Sequence, residues 1–327
     1  MTSIAATASH PTFDQGWCSR AQARAWFAAV LDCNGMLQKT TGLFSVRSLA
    51  LGILLTALGG SLAACSGTSS KLAPATPTLT VRPTVKAPVV DVVDVAGKAA
   101  TLVAAADREQ ADRKLDVGRH PAELLAFLKL PAGARVAEIS AGTGYTTELL
   151  ARAVGPTGIV YGQNNAFVIE KFAAAGWAER LAKPNNKNVV RVDRELDAPL
   201  PSDATNLDSV VIVLFYHDTV WMKTDRAKMN RAIFDALRPG GSYVVVDHAT
   251  APGRGIADVS SLHRIDEQTV RSEITAAGFE VAAEASFLRN ATDQHDWNAS
   301  PGQAGEKRGS SDRFVLKFVK PIKHVGG

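Results

Sequence analysis

The chain has 327 residues, 46% of them hydrophobic and 21% charged, which is a composition for an ordinary globular protein of one large or two small domains. Three cysteines exclude a disulfide framework as the scaffold. The net charge of +4 is shared equally: residues 1–65 carry Arg20, Arg24, Lys39 and Arg47 against Asp14 and Asp32, and the remainder has 32 basic against 30 acidic side chains. That balance leaves no electrostatic footprint for nucleic acid.

From Met36 the chain reads MLQKTTGLFSVRSLALGILLTALGGSLAAC. Lys39 and Arg47 flank an uncharged apolar run from Leu49 to Leu62. This run is short of the roughly 20 residues that a membrane span needs, and it fits the core of a signal peptide over 36–64. Its exit, Leu62-Ala63-Ala64-Cys65, resembles a bacterial lipobox. The resemblance implies lipidation of Cys65, cleavage just before it, and a place in the cell envelope, periplasmic or outer-membrane, through a lipid anchor. Residues 1–35, with Cys18 and Cys33, have no apolar core of their own, so translation is expected to start at Met36. After Cys65 comes SGTSSKLAPATPTLTVRPTVKAP, too poor in large apolar groups to offset its ordering entropy. A flexible tether is expected over 65–104, a folded domain over 105–322 and a short tail over 323–327.

Within the domain, Pro121 opens a helix in AELLAFLKL. Arg135–Ile139 predicts a strand, followed by the glycine-rich SAGTGY and a helix, TTELLARAV. Further strands are expected at Gly158–Gly162, Val189–Val192 and Ser209–Phe215, the last an unbroken apolar run suited to the centre of a parallel sheet. A helix from Asp225 to Leu237 leads through Arg238-Pro239-Gly240-Gly241 into SYVVVDH; the helix EQTVRSEITAAG stops at Gly278, and two strands, FEVAAEASF and DRFVLKFVK, close the domain. The order predicts an α/β fold: a Rossmann-like, seven-stranded, mostly parallel sheet with helices on both faces and an antiparallel C-terminal hairpin.

VAEISAGTGYTTELLA, the strand GIVYGQNN, the strand VVRVD and LRPGGSYVVVDH together resemble the class I S-adenosylmethionine-dependent methyltransferases over about residues 107–322. The resemblance implies S-adenosylmethionine as cofactor. It makes Glu138 the acid that ends the first strand, with Gly142 and Gly144 as two glycines of the turn. Ser140 replaces the first glycine, which demands an ordinary backbone conformation there. The family's ribose-binding carboxylate falls on Asn164, with Gln163 beside it. Asp193 matches the residue that accepts from the adenine amino group. The neutral Asn164 argues against a nicotinamide dinucleotide, for which an acid is usual at this place.

Substrates of such sheets sit at the carboxyl ends of the strands. The fourth strand runs into Phe215-Tyr216-His217-Asp218 and the fifth ends in Asp247-His248. His217 is the first candidate base, Tyr216 a pocket-shaping group and His248 the second candidate, acting on a small-molecule acceptor. The alternative for His217 is a structural hydrogen bond, and structural roles are favoured for His263 and His295. The long segment LRNATDQHDWNASPGQAGEKRGSS reads either as a lid carrying His295 and Trp297 or as a disordered surface loop. No metal-ligand spacing is visible. Export and a cytoplasmic cofactor pull against each other, so a catalytically silent ligand-binding or interaction module on the same fold stands as the alternative.

Overall fold

The computed structural model describes residues 92–322. The expected leader, signal peptide and lipidated Cys65, most of the tether and the tail lie outside the described residues. Among the described residues no helix is long and apolar enough to cross a membrane.

The chain runs α1 (Val92–Val103), α2 (Gln110–Arg119), α3 (Pro121–Leu128), β1 (Arg135–Ile139), α4 (Tyr145–Val154) and β2 (Ile159–Asn164). A short turn and a π-helical turn, Ile169–Ala173, lead into α5 (Ala174–Ala182), then β3 (Val189–Asp193) and β4 (Leu207–Val213). Next come α6 (Asp218–Trp221), α7 (Arg226–Ala236), β5 (Leu237–His248), α8 (Val259–Leu262), α9 (Glu267–Ala276), β6 (Glu280–Ala285) and β7 (Arg313–Val319). The seven strands are ordered β3-β2-β1-β4-β5-β7-β6. All neighbours are parallel except β7, which is antiparallel to both β5 and β6. This is the α/β fold that the alternation of elements predicts.

β4 sits at the centre because its Val210, Val211 and Ile212 have no exposed surface and fill both faces. Complete burial of such side chains stabilises by about 1.5–3 kcal/mol each. Val210 and Ile212 join a core under α7 and α9, and Val211 joins the core on the opposite face under α1, α3 and α4. The strand ends at Val213 rather than at Phe215, since Leu214 turns to φ 55° and donates its N–H to Val246 O at 2.7 Å. Asp225 and Asp266 cap α7 and α9 by accepting from Lys228 N and Gln268 N. Gly278 stops the latter helix at φ 105°, where an added Cβ would press on Phe234 at 3.2 Å.

The segment expected as tether up to residue 104 is helical from Val92. Val95, Ala99 and Leu102 recur at helical spacing, and the buried Ala99 packs into the cluster of Leu124, Leu125 and Leu128. The long segment before β7 is neither disordered nor a free lid. Asp293, deeply buried, takes a two-pronged bond from Arg264, at 2.8 and 3.2 Å, and bonds from Trp297 Nε1 and Asp312 N. Arg264 also lies 4.6 Å over the Trp297 ring, so this loop is folded around an internal ion pair.

Candidate active site

β1 lies between β2 and β4, and chain order reverses there, which puts the ligand crevice at its carboxyl end. The turn that follows takes left-handed backbone at Ser140 (φ 56°), Gly142 (φ 58°) and Gly144 (φ 84°). Ser140 therefore does not keep the ordinary conformation expected of it; it accepts a strain of about 1–2 kcal/mol, and neighbouring bonds hold it there. Gln163 Oε1 accepts from Ser140 N at 3.0 Å, and Gln163 O accepts from Ala141 N at 2.8 Å. Asn164 pairs with the backbone of Gly142 in both directions, accepting at 2.8 Å and donating at 3.0 Å. Its amide is thus spent on the turn and does not face outward to a ribose, which corrects the role expected of it. An amide suits this bond because it donates and accepts at once; a carboxylate would only accept.

Glu138 also turns inward and accepts from the Thr147 hydroxyl on α4. Burial pushes its carboxyl up to about 7, against the pull of the threonine bond. The two glycines differ in kind. A Cβ on Gly144 would meet Trp177 at 2.5 Å, so this glycine admits a packed indole, whereas a Cβ on Gly142 would meet nothing within 4 Å. The Ser140 hydroxyl is buried with no partner. Arg119, at the end of α2, stands 4.4 Å over the Tyr145 ring and pairs with no carboxylate among the described residues. Burial holds its pKa below the usual arginine range. No residue spacing marks Arg119 in the sequence; only the fold carries it beside the turn. Asp193 stays at the surface, held by Arg191 Nε at 2.9 and 3.0 Å, and borders an open hollow of about 490 Å³ shared with Glu195 and Lys228.

The second corner lies at the ends of β4 and β5. His217 is completely buried: its Nδ1 meets Asp247 Oδ1 at 2.6 Å and its backbone N–H donates to Asp247 Oδ2 at 2.8 Å. Its Nε2 lies 3.3 Å from Asp218 Oδ1, within ion-pair reach but off the hydrogen-bonding line, so this buried atom has no hydrogen-bond partner. Burial opposes the charge of His217, but Asp218 and Asp247 outweigh it and raise its pKa to about 10. A sealed, charged imidazole does not accept a proton from a substrate near neutral pH. His248 is bonded through Nδ1 to Ser311 Oγ at 2.7 Å, and burial followed by the charge of His217 pushes it well below its ordinary value.

Tyr216 does not shape this corner. Its hydroxyl is drawn into the core, where it donates to Glu273 at 2.8 Å and accepts from Asn230 at 2.8 Å. The residue to which the sequence gives only a structural role is His263, which ends α8 at φ 57°. Its ring stands 4.1 Å from that of His217, and its Nδ1 is 3.7 Å from Asp218 Oδ1. His263 and His217 lie on opposite sides of β5 in sequence, so no local spacing announces the pair. His295 stays apart, with Nε2 3.3 Å from Asp312.

The family model for protein-L-isoaspartate(D-aspartate) O-methyltransferase matches residues 111–191, from α2 into β3. Among solved structures, the chain is similar to an S-adenosylmethionine-dependent methyltransferase from Aquifex aeolicus, at 16% identity over 69% of this chain and 98% of that one, with a TM-score of 0.45. A putative sarcosine dimethylglycine methyltransferase from Galdieria sulphuraria is similar at 16% identity over 66% and 89%, with a TM-score of 0.46. The glycopeptide N-methyltransferase MtfA, in complex with S-adenosyl-L-methionine, is similar at 19% identity over 63% and 94%, with a TM-score of 0.41. Strand order, glycine turn and family match together give the chain the fold of the class I S-adenosylmethionine-dependent methyltransferases.

Proposed function

We propose that the domain binds S-adenosylmethionine over the β1–α4 turn and transfers its methyl group to a small-molecule acceptor at the ends of β4 and β5. The observation that carries this reading is the open face of Gly142 at the point where strand order reverses. The residues present fit the cofactor. The open face of Gly142 leaves room for its close approach, the unpartnered Ser140 hydroxyl would take its polar edge, and the unpaired Arg119 would take its carboxylate. When bound, the cofactor supplies a methyl group made electrophilic by its sulfonium. The chain's own contribution is placement: Asn164 and Gln163 hold the turn in the shape that would seat the cofactor. Isothermal titration of S-adenosylmethionine tests the reading. Gly142→Val should remove binding while the chain stays folded; retention of binding would overturn it.

One observation favours the second reading, a ligand binder without catalysis: neither Glu138 nor Asn164 has a side chain free to accept from a ribose diol. Methyl transfer from labelled cofactor to cell-envelope and cytosolic small-molecule extracts separates the two. Binding without transfer selects the silent module.

The sequence around Cys65 supports a lipid tether in the cell envelope for this domain. Cys65→Ala should move the chain from the detergent phase to the aqueous phase; unchanged partitioning would refute the tether.

A further inference from the structure

The corner at β4 and β5 holds more nitrogen and oxygen ligands than methyl transfer needs. His217, Asp218 and His263 each offer one ligand atom, and the three atoms lie within 4.8 Å of one another. Asp218 Oδ1 is 3.3 Å from His217 Nε2 and 3.7 Å from His263 Nδ1. Ligands bound tetrahedrally at about 2.0–2.2 Å from an ion stand roughly 3.3–3.6 Å apart, so two edges of such a site are already near their lengths.

We propose that His217, Asp218 and His263 bind one divalent transition-metal ion of the zinc type. Two imidazoles with one carboxylate suit such an ion and not the harder magnesium or calcium, which take oxygen ligands. Asp247 completes the arrangement: by fixing Nδ1–H of His217 at 2.6 Å it orients the ring so that an ion arriving at Nε2 displaces the proton carried there and takes the lone pair. That Nε2 is buried and lacks a hydrogen-bond partner, which is costly unless something binds it. His263 is held from both sides, by its own N–H to Val259 O at 3.1 Å and by the neighbouring Arg264, which is fixed to Ala249 O and Asp293. A plain ion pair among Asp247, His217 and Asp218 accounts for His217 but not for a second imidazole 4.1 Å from its ring. Three protein ligands leave a coordination position open on the side of Asp218 and His263, whose side chains are 12% and 14% exposed while His217 is sealed.

The test uses the full-length chain, stripped with chelator and titrated with Co²⁺, then with Zn²⁺ in competition. One equivalent of cobalt should develop the visible bands of a four- or five-coordinate ion without thiolate charge transfer, and zinc should abolish them. His263→Gln and Asp218→Asn should each weaken cobalt binding by at least about 100-fold, with unchanged circular dichroism in chelator. Absence of the bands in the wild-type chain, or wild-type affinity in His263→Gln, overturns the site. Should a variant fail to fold, acylation of wild-type histidines by diethyl pyrocarbonate, located by mass spectrometry, decides. Zn²⁺ should protect His263, and an unprotected His263 refutes the proposal.

Discussion

At the β1 corner, Gln163, Asn164 and Glu138 all spend their side chains on the chain itself, and what faces outward is bare backbone at Gly142. At the β4–β5 corner the reverse holds: the backbone is tied by Asp247, and the imidazoles of His217 and His263 keep ring nitrogens directed at one carboxylate. The first corner is a shaped backbone surface bordered by a single unpaired cation among the described residues, Arg119, and the second is a buried electrostatic cluster. A polar residue at a motif position is therefore not thereby a ligand contact, and a residue outside any motif can belong to a site.

The largest expected effect falls on the charged corner. Asp247→Ala leaves His217 buried beside only one carboxylate and should cost about 3–5 kcal/mol, read from chemical denaturation. A loss under 1 kcal/mol would mean that the corner is less charged than its geometry implies.

On the glycine side the effect of pH is next. The Glu138 carboxyl titrates near 7 in the folded chain against an ordinary 4.5, so its contribution is whole below pH 4.5 and gone above 7. Stability should fall by about 3 kcal/mol across that window. Glu138→Gln should flatten this part of the profile, and an unchanged slope would locate the titration elsewhere.

The two glycines should then part company. Gly144→Val drives a side chain into Trp177 and should cost about 1–3 kcal/mol beyond the strain of its positive φ, whereas Gly142→Val should cost only the strain. Equal melting temperatures for the two variants would erase the distinction between packed and open faces. The smallest effect concerns Asn164→Asp. The aspartate cannot donate to Gly142 O, so it should lose about 1 kcal/mol of stability and should not tighten nucleoside binding. A tighter complex would show that the side chain leaves the turn when ligand arrives.

What was legible in the sequence was contiguous. RVAEI followed by glycines, the apolar run through Val210–Ile212 and the Pro-Gly-Gly approach to β5 each declare themselves within a few residues, because strand and turn preferences are local. Side-chain direction was not legible. Tyr216 and Asn164 sit where a ligand-facing residue is expected, yet packing against Glu273 and Gly142 turns them away. Nor was the pairing of His217 with His263, or the arrival of Arg119 beside Tyr145, since both depend on how distant segments close over the sheet. The helix Val92–Val103 escaped notice because small residues such as Ala99 look weakly apolar until a neighbouring helix covers them.

β7 follows β6 in the chain but lies between β6 and β5 in the sheet. β6 consequently has no strand to pair with until Arg313–Val319 arrives, and the edge of β5 stays open for the same interval. Pairing of this non-local kind is slow to nucleate and leaves strand edges exposed to intermolecular pairing meanwhile. A chain truncated before Arg313 would forfeit two strands rather than one, and would behave as an aggregation-prone five-stranded intermediate.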